Sequence, residues 1–331
     1  MTRSGVWVMM IVGLCGASVT AMFLGSASIS MAQVLSLFNQ PSNPDFAQTI
    51  LLQIRLPRVL LSVIVGAGIA AAGAAIQGIF RNPLADPALI GVSSGAALFA
   101  AGFMVLNLQN STWGFLGLAG SAFVGGFVTT LLVLKVGQRS GTMASLLLAG
   151  VAVNAIAAAG VGLLSYLSSD LQLRSVAFWA LGSFNGADWA SVRLALLIPI
   201  VVLLLFFDSQ KLNAVTLGDI EATHLGINVP RLRTRIVLYT AVITGTSVAL
   251  VGIIAFIGLV VPHLIRLTMS SNHRTVIPAS ALLGALLVLL ADTLGRVIIA
   301  PAELPVGILT ALLGGPFFIY LLVSQKHRLG L

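Results

Sequence analysis

TLGDIEATHLGINVPRLRTR, residues 216–235, is the most polar run in a chain that is otherwise almost all apolar. It holds Asp219, Glu221, Arg231, Arg233 and Arg235 within twenty residues, although only 8% of the 331 residues are charged. A soluble domain carries about a quarter charged residues. The stretch therefore reads as a water-exposed loop, and its flanks read as membrane spans.

The flanks support this. Hydrophobic residues make up 58% of the chain and the mean hydropathy is +1.07. A span needs about 20 apolar residues, and ten apolar segments can be marked: 5–26, 57–79, 88–106, 114–136, 142–168, 189–208, 234–255, 257–270, 276–297 and 304–324. The expected fold is an all-α polytopic membrane protein, a single transmembrane domain over residues 1–331. The apolar run 5–25 is longer than the core of a signal peptide, so it reads as the first span. The eighth segment is short, and Pro262 is expected to interrupt it and place it on a cavity wall.

Cytoplasmic loops hold the excess of Lys and Arg. With the N-terminus inside, twelve of the seventeen fall inside, among them Arg81, Lys211, Arg231, Arg233, Arg235, Arg266 and Arg274. Arg55, Arg58, Arg174, Arg193 and Arg296 fall outside. Both termini are then cytoplasmic. The net charge of +8 is a topology signal and implies no nucleic acid. One cysteine, Cys15, precludes an intramolecular disulfide.

Local signals fill in the connections. Gly66, Ala70 and Ala74 recur every four residues in the second segment, which lets helices pack closely in lipid. Pro83 and Pro87 force a tight crossing after it, and Asp86 is placed to cap the next helix. GVSSG at 91–95 matches a hydrolase nucleophile elbow, but it lies in an apolar helix without an Asp/His pair, so Ser93 is not read as a nucleophile. Residues 170–186 form an external amphipathic stretch with Phe178, Trp179 and Phe184. Asp292 and Arg296 pair at i, i+4 near the outer face, and Glu303 suits the start of the last span.

Within the opening stretch, Thr216 and Asp219 have capping-box spacing. A short helix is expected from Leu217 to Leu225, with Gly226 as its left-handed stop. Asn228 and Pro230 then cap and start the next helix. Leu217, Ile220 and His224 share one face. Composition alone leaves this as a solvated connector.

GDIEATHLGINV resembles the coupling-helix segment of the FecCD family, permeases of ABC importers for iron chelates, heme and cobalamin. The resemblance runs through RLPRVL (55–60), QGIFRNPLADPALIGVSSGAA (77–97), LLLAGVAVNA (146–155), GIIAFIGLVVPHLIRL (252–267) and ADTLGRVIIAPAELPVGILTALLGGPFF (291–318). It implies a type II importer permease of ten spans in an inner membrane. The implied partners are a second copy, two cytoplasmic ATPase subunits and a periplasmic binding protein. It also implies an ATPase-coupling role for Gly218, Asp219, Glu221, His224, Leu225 and Gly226, within about 217–226. Arg55, Arg58 and Arg296 match the positions that dock the binding protein. Asn82, Leu84, Thr142 and Met143 match a cytoplasmic gate.

No catalytic residue is expected. The chain lacks the G-x-x-x-x-G-K-[ST] phosphate loop, so ATP and Mg²⁺ belong to the partner ATPase, and no cofactor or metal is assigned here. LLSYLSSDLQLRSVAFWALGS (163–183) and IAPAELPVG (299–307) are most similar to the heme members, with ferric siderophore and cobalamin as alternatives. His224, His263 and His273 fall on the cytoplasmic side and are not read as heme ligands. A different class, an ion-coupled transporter, would need ionisable groups at the membrane midplane. Here Asp292 is the nearest approach.

Overall fold

A computed structural model describes residues 3–25, 46–108, 114–138 and 143–324. Among them the chain is helical throughout: α1 (Arg3–Phe23), α2 (Phe46–Thr49), α3 (Leu56–Phe80), α4 (Val92–Val105), α5 (Gly114–Gln138), α6 (Met143–Tyr166), α7 (Asp170–Ala180), α8 (Trp189–Ala195), α9 (Leu197–Phe207), α10 (Ser209–Val215), α11 (Asp219–His224), α12 (Val229–Val251), α13 (Ile257–Thr268), α14 (His273–Val297) and α15 (Val306–Ser324). A π-helical turn, Ile50–Arg55, joins α2 to α3, and a 3₁₀ turn, Pro87–Ile90, precedes α4.

Seven helical stretches are long and apolar enough to cross a membrane, and three shorter apolar helices, Val92–Val105, Ile257–Thr268 and Val306–Tyr320, join them. These ten coincide with the ten segments marked in the sequence. The hub is α3. Its span is 78% buried, against 22% for the α6 span and 11% for that of α1. It packs on α9, α12, α13 and α14.

The small residues of α3 explain this position. A Cβ at Gly66 would strike the Gly284 carbonyl of α14, and one at Gly73 would collide with the Gly258 carbonyl of α13. Ala70 faces Gly284 in the same seam. Backbones at this distance gain dispersion contacts that lipid cannot replace.

Polar side chains fix the helix starts. Asp86 accepts from the Ala88 N–H (2.8 Å) and caps the 3₁₀ turn. Asn228 accepts from the Arg231 N–H (3.0 Å) at the start of α12. Ser169 and Gln172 form a capping box on α7. Asp188 accepts from the backbone N–H (2.7 Å) and hydroxyl (2.6 Å) of Ser191. Burial pushes the Asp188 carboxyl up, but these two donors, together with its own backbone N–H and the nearby Arg193, outweigh it and hold the group below the usual carboxylate range.

Two expectations are corrected. Pro262 does not interrupt its segment: α13 runs unbroken from Ile257 to Thr268 with Pro262 inside it. The break comes earlier, at 252–256, where Gly252 (φ +75°) ends α12 and Phe256 (φ +68°) starts α13 from the left-handed region. That conformation costs a non-glycine residue about 1–2 kcal/mol. The segment lines a cavity of about 350 Å³ together with Ile69, Asp86, Ser93, Thr244 and Phe318. A broken backbone beside a cavity is what a bilayer tolerates. The helix in the opening stretch also departs from expectation, because it starts at Asp219 with Gly218 as its N-cap.

Candidate functional site: the surface helix α11 and the loop beneath it

Helix α11 is shorter than expected and starts differently. Thr216 does not cap it. Thr216 ends α10, and its hydroxyl donates to the Asn213 carbonyl (2.6 Å). Gly218 takes the N-cap position with φ +138°, where a side chain would run into the Glu221 carboxylate. The C-terminus matches the expected stop. Gly226 lies at φ +81°, its N–H donates to Thr223 O (2.9 Å), and the Ile227 N–H donates to Ala222 O (3.1 Å). That pair of bonds is a Schellman motif, which satisfies the last carbonyls.

Only Ala222 anchors the helix in the core; it is fully buried. Leu217, Ile220 and Leu225 are each about two-thirds exposed (68%, 69% and 64%), and Glu221 and His224 are exposed beside them. Ile220 lies on this short helix and Leu217 and Leu225 flank it, all three outside the candidate spans. They form an unpartnered apolar patch.

Asp219 is the exception, because it points inward. It pairs with Arg233 of α12 (3.1 Å) and Arg81 (3.3 Å). Arg81 closes the C-terminus of α3 in the left-handed conformation (φ +51°), its N–H donating to Gln77 O and Gly78 O. The surface helix is thereby linked to the loop that leaves α3. Both members of the Arg81–Asp219 pair are about 40% exposed, so the link contributes about 0–1 kcal/mol. It registers the two elements without locking them.

That loop carries two of the expected gate residues. Asn82 accepts from the Leu84 N–H (2.9 Å) and folds the turn back. The following 3₁₀ turn is clamped by α6: Asn154 donates to Ala88 O (3.2 Å), and a Cβ at Gly150 would collide with Leu89 O. Burial pushes the Asp86 carboxyl above its usual range, against the pull of the Ala88 N–H. Met143 is the first residue of α6. Thr142 lies outside the described residues. The next residues, however, are tied to the end of α5 by Ser145, whose hydroxyl donates to Gly137 O (2.8 Å).

Arg55, Arg58 and Arg296 gather at the opposite end of the bundle, but not as a free rim. They are 4%, 7% and 5% exposed. Arg58 binds Asp292 through Nε (3.0 Å) and Nη2 (2.8 Å), and reaches Glu303 through Nη1 (2.9 Å). Arg296 meets Asp292 at 3.4 Å and the carbonyls of Ala21 and Leu24. Arg55 donates to Met22 O (2.6 Å) and Phe23 O (2.9 Å), satisfying carbonyls at the end of α1. Sequence spacing identified Asp292–Arg296. It carried no signal for Arg58, which lies 234 residues from its partner. Among the described residues no group of three or more His, Cys, Asp or Glu is placed to hold a metal.

Comparison with known proteins identifies the family. The FecCD transport family model matches residues 10–324. The chain belongs to the FecCD transport family. This FecCD chain is 44% identical over 313 residues to the hemin transport system permease protein HmuU of Yersinia pestis, covering 92% of each chain. It is 41% identical over 275 residues to the vitamin B12 import system permease protein BtuC of Salmonella typhi, covering 83% of this chain and 84% of that one. A solved structure of a metal-chelate type ABC transporter in an inward-facing conformation superposes with a TM-score of 0.85. It is 31% identical, covering 97% of this chain and 98% of that one. PsaBC of Streptococcus pneumoniae, at a TM-score of 0.58 and 16% identity, shares the fold.

Proposed function

We propose that the chain is the membrane-spanning permease subunit of an ATP-driven importer, and that its cargo is heme. The observation that carries the transport reading is α11, an exposed apolar helix tied through Asp219 and Arg81 to the loop holding Asn82 and Leu84. A partner ATPase that grips Leu217, Ile220 and Leu225 would move that loop, and ATP and Mg²⁺ are used by the partner. The cargo reading is supported by the match to a hemin permease across 92% of the chain. The cobalamin permeases match over 83%, and vitamin B12 is the second reading.

The physical act is alternating access. A second copy of the chain would complete the pathway, seated on exposed apolar faces such as that of α6, where Leu148, Ile156 and Leu163 are 60–70% exposed. With both termini on the cytoplasmic side of an inner membrane, the end carrying Arg55, Arg58 and Arg296 faces the periplasm. Docking of a binding protein there would use carboxylates that compete with Glu303, the partly exposed partner of Arg58. Ligand choice is tested by loading vesicles that hold the chain with its ATPase and binding protein. Hemin, a ferric siderophore and vitamin B12 are offered in turn, and hemin is expected to accumulate. Accumulation of vitamin B12 or the siderophore without hemin would overturn the cargo while leaving the transport reading standing.

A further inference from the structure

At the α11 end of the bundle lies a recess of about 300 Å³ bounded by Gln77, Arg81, Asn82, Thr216, Arg266 and His273. Its volume is roughly ten times the share of one liquid water, about 30 Å³. It opens between the end of α3, the start of α14 and the residue that ends α10.

The charge in it is out of balance. Arg266, near the end of α13, donates one Nη1 hydrogen to the Gln77 side-chain oxygen and an Nη2 hydrogen to Ala74 O (3.2 Å). Among the described residues no carboxylate lies within ion-pair distance of it. A guanidinium has five N–H donors and no acceptor; these two bonds use two of them, and the side chain lines the recess. Removing such a charge from bulk water without a counter-charge is costly. Every other buried or half-buried arginine described above has a carboxylate or a run of helix-end carbonyls. Arg81 adds a second guanidinium on the recess wall and shares only Asp219 with Arg233.

The remaining wall is hydrogen-bonded in place. Gln77 Nε2 is committed to the carbonyls of Gly258 and Leu259, which aims its oxygen at Arg266. His273 is 2% exposed; Asn213 Oδ1 accepts from both its backbone N–H and its Nδ1, each at 2.8 Å. Its Nε2 lies against Gly78, where any Cβ would strike it. Two guanidinium groups lining one recess of about 300 Å³ from different helices suit a tetrahedral oxyanion, because a guanidinium fork matches two of its oxygens.

We propose that this recess binds one phosphate-class oxyanion, held by Arg266 and Arg81, supplied either as a free phosphate or as a lipid headgroup. The site is independent of the cargo reading. Its occupant competes with Asp219 for Arg81, so occupancy loosens the link between α11 and the Asn82 loop.

The test uses the full chain in nanodiscs. One arm holds phosphatidylcholine only and is titrated with radiolabelled inorganic phosphate. The other contains phosphatidylglycerol, with retained lipid counted by native mass spectrometry. R266Q and R81Q are each expected to weaken binding about tenfold or more in at least one arm, a tenfold loss being about 1.4 kcal/mol. R231Q, exposed and outside the recess, should bind as wild type does. The arm that responds names the source. Equal binding by wild type, R266Q and R81Q in both arms overturns the proposal, as does an equal loss in R231Q, which would mark diffuse surface charge. If R266Q does not fold, R81Q decides alone, because Arg81 is half-exposed and its loss spares the core: weakened binding supports the site and unchanged binding overturns it.

Discussion

At the scale of single residues, the most consequential group is the ionic cluster of Arg58, Asp292, Arg296 and Glu303. Asp292 is fully buried and meets two guanidinium groups. Stripping one partner from a buried pair costs about 3–5 kcal/mol, because a buried charge is left uncompensated. Glu303 is 31% exposed and shares Arg58 with Asp292, so its loss should cost at most about 1 kcal/mol. Asp292→Asn is therefore expected to lower the melting temperature in detergent far more than Glu303→Gln does; equal shifts would mean that the cluster is solvated. Charge reversal at Arg58 or Arg296 would damage the fold as well as any docking surface, so loss of docking alone cannot assign them that role. The sequence placed these arginines at one end but could not show that they turn inward, since charge counting locates a residue along the membrane normal and says nothing of its partners.

At the scale of elements, the proposed coupling role rests on α11. Its position, its Gly226 stop and the Asn228 start of α12 are all legible in the sequence, because caps are local and their chemistry is in the adjacent residues. Its first turn is not: Thr216 and Asp219 have capping-box spacing, but α10 extends to Val215 and takes Thr216 as its own end. Pro262 misleads for a related reason. A proline removes one hydrogen bond, and here the helix tolerates it. The break lies instead at Gly252 and at Phe256, a residue type for which positive φ is not forecast. Replacing Ile220 by Ser removes a 69%-exposed apolar side chain from the patch without touching Ala222, the buried anchor. The variant should insert and melt like wild type, within about 0.5 kcal/mol, while ATPase stimulation by loaded binding protein falls several-fold. Unchanged stimulation would remove α11 from the coupling path.

At the scale of the molecule, the ten apolar segments and their order are readable from hydropathy alone, because in hydrocarbon a span must satisfy its own backbone. What hydropathy cannot supply is the hub. The small residues of α3 announce close packing, but not that α13 and α14 are the partners through Gly258 and Gly284. Movement at α11 can reach α12 through the Asp219–Arg233 pair and α3 through its C-terminal end, where Arg81 sits in the left-handed conformation and pairs weakly with Asp219. In the proposed transport cycle, this weak pair is the joint that opens and closes. The energy for this is expected to come from a partner's nucleotide and not from an ion gradient, since the described ionisable groups gather at the two ends of the bundle. Uptake by sealed vesicles that contain the chain, its ATPase and its binding protein, measured with and without internal ATP and with the proton gradient collapsed, tests this most directly. Uptake that requires ATP and survives collapse of the gradient is the predicted result; uptake that proceeds without ATP, or stops when the gradient alone is removed, would contradict it.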